Sequence, residues 1–237
     1  PKEFIGLDRF EARKQLLKKL KENNFFVEEE NIKNKVPYGD RSNSIIEPYL
    51  TEQWFADAKK LSIKAKEIVN NKSTNFFPEN WSKTYFQWMD NIEPWCVSRQ
   101  LWWGHQIPAW YGPDGKVFVE YTEEEAIKEA KNYYKKDVEL KRDEDVLDTW
   151  FSSGLWPFAT LGWPNQTDYL KKFYPTTVLV TGFDIIFFWV ARMMMMGMAF
   201  LEKEPFKDIY VHALVRDEKG QKMSKSKGNV IDPLDLI

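Results

Sequence analysis

Residues 177–201, TVLVTGFDIIFFWVARMMMMGMAFL, decide the fold. The first four of them are β-branched or apolar, which is typical of a buried strand. A tight turn through Gly182 follows, and the long apolar run from 184 to about 201 predicts a core helix. The stretch therefore predicts a strand, a glycine turn and a helix, the repeating unit of an open α/β sheet.

The same stretch is long enough to be a transmembrane helix, because residues 178–201 are almost all apolar. Two charges, Asp184 and Arg192, lie inside it. Each costs about 2.5 to 3.5 kcal/mol at the centre of a membrane helix. Gly182 also interrupts the apolar pattern near one end, so we expect a core helix and no membrane contact.

Asp184 stands where a strand gives way to a helix. In open α/β sheets ligands bind at the carboxyl ends of the strands, and an acid at this junction can accept hydrogen bonds from ribose hydroxyls. The alternative is a helix N-cap, which is a common role for aspartate. On the helix that follows, Ile185 and Trp189 are four residues apart and share a face, either as the wall of a small apolar pocket or as ordinary core.

A second buried strand is predicted over residues 209–215, and residues 216–229 follow it as RDEKGQKMSKSKGN. We call residues 216–229 the lysine loop. Lysine ammonium groups can offset the charge of a departing pyrophosphate, while hydroxyls and backbone N–H groups supply donors. Such a loop is expected to move during a reaction. From composition alone it could equally be a solvated basic loop.

Composition limits the classes of protein and site. The net charge is −2, so no overall positive field attracts nucleic acid. One cysteine, Cys96, and two histidines cannot make a usual four-ligand zinc site or a disulfide framework. We expect a cytoplasmic protein without a structural metal in this segment.

The remaining sequence predicts structural elements without candidate site residues. Asp8 and Glu11 form a capping-box pattern ahead of a helix that ends near Asn23, and turn-rich sequence places a domain boundary near residue 50. A hairpin at 110–119 and a helix beginning at Thr122 suggest a small insertion. Seven tryptophans between residues 53 and 110 favour core packing over a platform for RNA bases, because few Lys or Arg residues accompany them.

Both ends of the chain read as cut. The chain begins at Pro1 without a methionine, and residues 232–235 have the cap, proline and acid of a helix start two residues before the last position. We expect a piece of a longer protein.

Residues 222–226, KMSKS, match the signature pentapeptide of class I aminoacyl-tRNA synthetases. Other segments also resemble this family, and in particular its valine-specific members. Those segments are GLDRFEAR at 6–13, WCVSRQ at 95–100, DTWFSS at 148–153 and TGFDIIF at 181–187. The run GFDII at 182–186 distinguishes the valine members from the isoleucine and leucine members.

This resemblance implies an α/β fold that is the second half of a Rossmann-type class I synthetase catalytic domain. Residues 1–50 would be the C-terminal tail of an inserted editing domain with its linker. Residues 51–237 would belong to the catalytic domain, with a small insertion at about 109–145.

The resemblance also implies site residues. Lys222 and Lys225 would act catalytically on the phosphates. The residues implied in ATP binding are Gly182, Asp184, Lys222, Met223, Ser224, Lys225 and Ser226. The residues implied in lining a valine pocket are Trp150, Ile185 and Trp189.

The implied reaction joins valine to ATP, with its Mg²⁺, as valyl-adenylate, and then transfers valine to tRNA(Val) in a monomeric enzyme. Positioning and charge stabilisation would carry this chemistry without a side-chain nucleophile. The family's paired-histidine signature is missing, since His105 and His212 are the only histidines. We therefore expect this chain alone to be inactive. The alternatives are an isoleucine- or leucine-tRNA ligase, or a nonenzymatic half-domain that binds nucleotide or RNA.

Overall fold

The computed structural model describes residues 2–39, 42–225, 228–232, 234 and 237. The chain forms two units, Pro1–Thr51 and Glu52–Ile237. In the first unit a short 3-10 turn, Lys2–Phe4, precedes helix α1, Arg9–Glu22. Asp8 caps α1 as predicted, because its carboxylate accepts a hydrogen bond from the Phe10 amide at 2.9 Å.

The second unit alternates short strands with helices. Its first elements are β1 (Phe55–Ala56), α2 (Ala58–Asn70), β2 (Asn75–Phe77), α3 (Trp81–Asp90), β3 (Trp95–Cys96) and β4 (Ser98–Arg99). The next four are β5 (Ala109–Tyr111), β6 (Val117–Val119), α4 (Glu123–Tyr134) and β7 (Lys141–Arg142). Then come β8 (Val146–Leu147), α5 (Thr149–Gly154), α6 (Trp156–Ala159), α7 (Asp168–Phe173) and β9 (Thr176–Gly182). A 3-10 turn (Phe183–Ile185), a π-helix (Ile186–Ala191), α8 (Arg192–Phe200) and β10 (Phe206–His212) complete it.

A three-stranded parallel sheet with the order β2-β10-β9 lies at the centre of the second unit. Ile209 pairs with Leu179 on one side and Phe76 on the other, and all three are buried against the helices. Residues adjacent to these along each strand point to the opposite face of the sheet. The predicted α/β architecture is therefore confirmed, with the core on one face of the sheet.

The other face of this sheet is exposed and mostly apolar, apart from Asn75 and Asp208, which are hydrogen-bonded to each other. We call it the open face and define it by four side chains that are 47–60% exposed, namely Phe77, Val178, Val180 and Tyr210. Parallel sheets are normally covered on both faces. In this chain only one face of the sheet is covered by described residues.

The apolar stretch after β9 is not one regular α-helix, as the sequence predicted, but the 3-10 turn, the π-helix and α8 in succession. Residues Phe183–Phe200 form the one helical stretch in the described part of the chain that is long and apolar enough to cross a membrane, and half of it is buried inside the molecule. In α8 all four residues from Met193 to Met196 are buried. Successive helical residues point about 100° apart, so α8 is enclosed on all sides.

The insertion between β4 and β8 has a core of its own. Strands β6-β5-β7 form an antiparallel sheet, and α4 packs on it. The core residues of this small unit are Trp110, Phe118, Ala126 and Ala130.

Two sequence predictions are wrong, and a third concerns residues that the structure does not fully describe. The second buried strand is Phe206–His212 rather than 209–215, because residues 213–215 run on without a paired neighbour strand among the described residues. Trp102 and Trp103 are 95% and 86% exposed instead of packed in the core. The helix start at 232–235 includes positions 233 and 235, which lie outside the described residues.

Candidate functional site

Asp184 follows the carboxyl end of β9, in the first turn after Gly182. Its carboxylate Oδ2 accepts a hydrogen bond from Lys222 Nζ at 3.0 Å, and the Asp184 side chain is 32% exposed. Neither the 3-10 turn nor the π-helix has a side-chain cap. The N-cap role considered from sequence is therefore wrong, and the carboxylate is directed toward the lysine loop.

Gly182 makes room for this carboxylate. A Cβ atom at position 182 would lie 2.8 Å from Asp184 Oδ1 and 3.4 Å from Leu214 Cδ2. Gly182 also pairs with His212 at the end of β10, so it marks the edge where two parallel strands end. Ligands of open α/β sheets bind at this edge.

The first half of the lysine loop is a hairpin that delivers Lys222. Arg216 and Lys222 form an antiparallel bridge. Asp217 Oδ1 stabilises the turn by accepting hydrogen bonds from the amides of Lys219 at 3.0 Å and Gln221 at 2.7 Å. Aspartate commonly organises turns in this way. The Lys222 ammonium group then reaches Asp184 from a backbone that is held in place.

Asn229 ties the end of the loop back to this hairpin. Its side-chain Oδ1 accepts a hydrogen bond from the Ser224 amide at 2.9 Å. Its Nδ2 donates to Asp217 Oδ2 at 2.8 Å and to the Lys222 carbonyl at 3.3 Å. Sequence reasoning missed this residue. The only signal was that asparagine and aspartate favour side chain-to-backbone bonds in loops.

The other residues of the lysine loop that were predicted to bind ATP make fewer contacts in the structure. Lys225 is exposed and forms no ion pair with the residues that the structure describes. Met223 is half-buried, and its amide is 3.5 Å from the Val215 carbonyl. Ser226 lies outside the described residues. The structure thus brings Gly182, Asp184 and Lys222 together, and no contact of the Lys225 side chain with them is seen among the described residues.

The three predicted pocket residues are half-buried on neighbouring elements. The ring of Trp150, on α5, stacks on Phe188 of the π-helix with centroids 5.9 Å apart. The indole N–H of Trp189 donates to the Ser153 carbonyl of α5 at 3.1 Å. Ile185 is the last residue of the turn before the π-helix. Trp150 and Trp189 therefore lie on two elements that are joined by a stacked ring pair and a hydrogen bond.

Behind this pair lies a buried ionic cluster centred on Asp148. Asp148 Oδ2 accepts a hydrogen bond from the Trp95 indole at 2.9 Å and ion pairs with Arg99 at 3.3 Å and Arg192 at 3.4 Å. Asp148 Oδ1 caps α5 by accepting from the Trp150 amide at 3.4 Å. The cluster therefore holds the helix that carries Trp150.

Arg192 is the most constrained member of this cluster. Its guanidinium carbon lies 3.7 Å from the centroid of the Trp95 ring, which is a cation–π contact. Burial lowers the pKa of Arg192 to about 10, although the neighbouring Asp148 raises it and Arg99 lowers it further. Sequence reasoning used Arg192 only as a charge that argues against a membrane. The structure adds its buried partner.

The arrangement at the end of β9 suits a ligand with both hydroxyl and phosphate groups. An exposed carboxylate accepts hydrogen bonds from hydroxyls, and an ammonium group on a loop neutralises phosphate oxygens. The indoles of Trp150 on α5 and Trp189 on the π-helix carry no charge. They suit a small apolar group.

Comparison with known proteins gives a consistent family. Residues 11–237 match the family model described as tRNA synthetases class I (I, L, M and V). The valine–tRNA ligase of Pelagibacter ubique is 81% identical over 237 residues, which is all of this chain and 27% of that protein. The valine–tRNA ligase of Caulobacter vibrioides is 61% identical over the whole chain and 26% of its own length. The chain therefore spans about a quarter of the length of these relatives.

Solved structures resemble this chain in fold. Methionyl-tRNA synthetase of Mycobacterium tuberculosis in complex with methionyl-adenylate aligns with a TM-score of 0.58 at 17% identity, covering 85% of this chain and 33% of that one. A second structure of that enzyme, bound by methionyl-adenylate, gives 0.55 at 18% identity with the same coverage. At these identities the likeness concerns the fold alone.

Proposed function

This chain belongs to the class I tRNA synthetases of the isoleucine, leucine, methionine and valine group, and we propose that it supplies half of the adenylate-forming site of a valine–tRNA ligase. The observation that carries the proposal is the contact of Lys222 with Asp184 beside Gly182, at the carboxyl end of β9. The choice of valine is supported by the ligase that is 81% identical over the whole chain.

In this proposal Asp184 holds the ribose of ATP. Its carboxylate can accept bonds from the two ribose hydroxyls, and Gly182 leaves the space that this requires. Binding of the ribose would release Lys222 from Asp184, because both compete for the same carboxylate oxygens. The freed ammonium group would then turn to the phosphates.

The lysine loop is proposed to act on the phosphates through Lys222 and Lys225, with Met223, Ser224 and Ser226 contributing to ATP binding. When the carboxylate of valine attacks the α-phosphorus, negative charge develops on the leaving pyrophosphate. Lysine ammonium groups placed near that charge stabilise it more in the transition state than in the ground state. Mg²⁺ would arrive on the ATP phosphates and offset part of the same charge.

Trp150, Ile185 and Trp189 are proposed to line the pocket for the valine side chain. The binding residues need only position the carboxylate of valine near the phosphorus, since this reaction uses no side-chain nucleophile. Transfer to tRNA(Val), a monomeric state and a cytoplasmic location belong to the same proposal for the longer protein.

The test is amino-acid-dependent exchange of labelled pyrophosphate into ATP by the longer protein. We expect strong exchange with valine, weak exchange with threonine and little with isoleucine or leucine. Lys225→Ala should lower kcat by about 10²-fold, as loss of one preorganised stabilising group does. Lys128→Ala, which removes the same charge from the exposed side of α4, serves as the matched control.

Each failure has a separate meaning. Preferred exchange with isoleucine or leucine would leave the adenylate site in place and refute the pocket. A complete lack of exchange would replace the ligase with a nonenzymatic nucleotide- or RNA-binding module. Valine-dependent exchange by this 237-residue chain alone would refute the proposal that it carries only half of the site.

A further inference from the structure

The lysine loop contains a hydrogen-bonded cross-link that the proposed chemistry does not use directly. Asn229 bonds to Asp217 through its Nδ2, to the Ser224 amide through its Oδ1, and to the Lys222 carbonyl. Asp217 in turn accepts from two amides of the hairpin turn. One side chain thus joins the start of the loop to the backbone on both sides of Met223.

We propose that Asn229 and Asp217 form a brace that positions Lys222 and Lys225 for the phosphates. The inference rests on the function proposed above. Among the residues that the structure describes, the loop has few other long-range ties: Lys222 to Asp184 is one, and it must break when ribose binds. The three hydrogen bonds of Asn229 do not use the Asp184 carboxylate, so they can persist after ATP has bound.

The hydrogen-bonding capacities of Asn229 and Asp217 match each other in this pair. Asn229 accepts from the Ser224 amide and donates to Asp217 at the same time, and a side-chain amide offers an acceptor and a donor on separate atoms, whereas a carboxylate only accepts. Asp217 supplies acceptors to the backbone amides of Lys219 and Gln221 and to Asn229 Nδ2. The donor and acceptor roles of the pair are therefore complementary.

Asn229 and Asp217 are positioning residues in this proposal. Misplacement of a charged group by about 1 Å can lower a rate by about 10²-fold without changing which groups are present. Loss of the brace should therefore lower kcat for pyrophosphate exchange and leave the KM for valine unchanged, since the pocket residues lie on α5, the turn and the π-helix. A residue that serves only overall stability would instead lower the melting temperature without separating kcat from KM.

The experiment uses the longer protein with two single variants and their reciprocal swap. Asn229→Asp keeps an acceptor for the Ser224 amide but places two carboxylates next to each other. Asp217→Asn keeps an Oδ1 acceptor for the two hairpin amides but places an NH₂ group opposite Asn229 Nδ2, so that this hydrogen bond is lost. We expect each to lower kcat by about tenfold or more, equivalent to about 1.4 kcal/mol. In Asp217→Asn with Asn229→Asp the amide and carboxylate exchange places, and part of the activity should return, although the donor to the Lys222 carbonyl is not restored.

Glu218→Gln provides the matched control, because it removes one negative charge from an exposed neighbour of Asp217. Loss of activity in Glu218→Gln as large as in Asp217→Asn would attribute the effect to charge and overturn the brace. The absence of rescue in the swap, with both single variants impaired, would overturn it too.

A second measurement separates the brace from the proposed function. Amide hydrogen exchange of residues 217–224 should be faster in Asn229→Ala than in the wild-type protein. In the swap it should be slower than in Asn229→Ala, whatever reaction the protein catalyses. Unchanged exchange in Asn229→Ala would refute the brace. If wild-type protein shows no valine-dependent activity but loop protection depends on Asn229, the function fails and the brace stands as a feature of the loop.

Discussion

At the scale of single residues, Gly182 is required by the side chain of a neighbour rather than by its own backbone. Its φ angle is −72°, which any residue adopts, yet a Cβ would lie 2.8 Å from Asp184 Oδ1. Real Cβ atoms almost never approach an oxygen so closely. An alanine would therefore have to displace the carboxylate.

Gly182→Ala tests this reading. We expect the KM for ATP to rise by about tenfold, which corresponds to about 1.4 kcal/mol, while the melting temperature falls little because a flexible side chain can move aside. The measurement is the ATP dependence of pyrophosphate exchange. Gly154→Ala in α5 is the control, since its Cβ would meet nothing closer than 3.4 Å. Equal effects of the two substitutions on the KM for ATP would contradict our explanation.

The sequence was sufficient to locate Asp184 at the junction of a strand and a helix, because that junction is encoded in local periodicity. It could not decide between an N-cap and a carboxylate that accepts hydrogen bonds from a ligand. That decision depends on Lys222, which is 38 residues away and reaches Asp184 only after both strands have paired. Asn229 was missed for the same reason, as its partners are set by the path of the loop.

At the scale of elements, the Asp148 cluster joins strand β3, helix α5 and helix α8. The side chains of Asp148 and Arg192 are only 8% and 10% exposed. Removing one member of a buried ion pair leaves a charge without compensation, which costs more than the pair itself contributes. The position of Trp150 therefore depends on a charge pair in the core.

Asp148→Asn is expected to destabilise the protein by about 3 to 5 kcal/mol, because Arg192 would remain buried without its counter-charge. Adding Arg192→Met should recover much of the loss, since apolar replacement of a buried pair is often neutral. The free energy of unfolding, from denaturation of the longer protein followed by tryptophan fluorescence, measures both effects. Asp137→Asn breaks an ion pair whose aspartate is 81% exposed and should leave that free energy unchanged. A double variant less stable than Asp148→Asn would contradict this account.

In the helical region after β9, the sequence predicted a helix but not its type. An apolar run predicts a helix but contains no signal for its type, and the first part of this one is a 3-10 turn and a π-helix. Such π-helical segments occur frequently at functional sites. Here the segment carries Trp189, whose indole bonds to α5, so the departure from regular geometry coincides with the proposed pocket.

At the scale of the whole molecule, the open face is a surface that we expect other residues of the longer protein to cover. Phe77, Val178, Val180 and Tyr210 expose apolar side chains on one face of a parallel sheet, and such sheets are ordinarily covered on both faces. The relatives are about four times as long as this chain, which leaves ample sequence to provide a cover.

Cysteine labelling tests this cover. Val180→Cys in the longer protein should react with a thiol reagent at least about tenfold more slowly than Asp137→Cys on the insertion, because cover by other residues excludes the reagent. In this chain alone both positions should react rapidly, since Val180 is 60% exposed and the Asp137 side chain 81% exposed. Rapid reaction at position 180 in the longer protein would show that the open face remains uncovered.

The four buried methionines of α8 have a consequence for how such a protein can change over generations. A thioether chain is unbranched and flexible, so it fills irregular space and accommodates a neighbour of altered shape. All four contribute to the main core, directly behind the π-helix. An interior packed in this way can absorb substitutions in surrounding helices one at a time. Trp189 of the π-helix can therefore keep its position while the core residues around α8 are replaced.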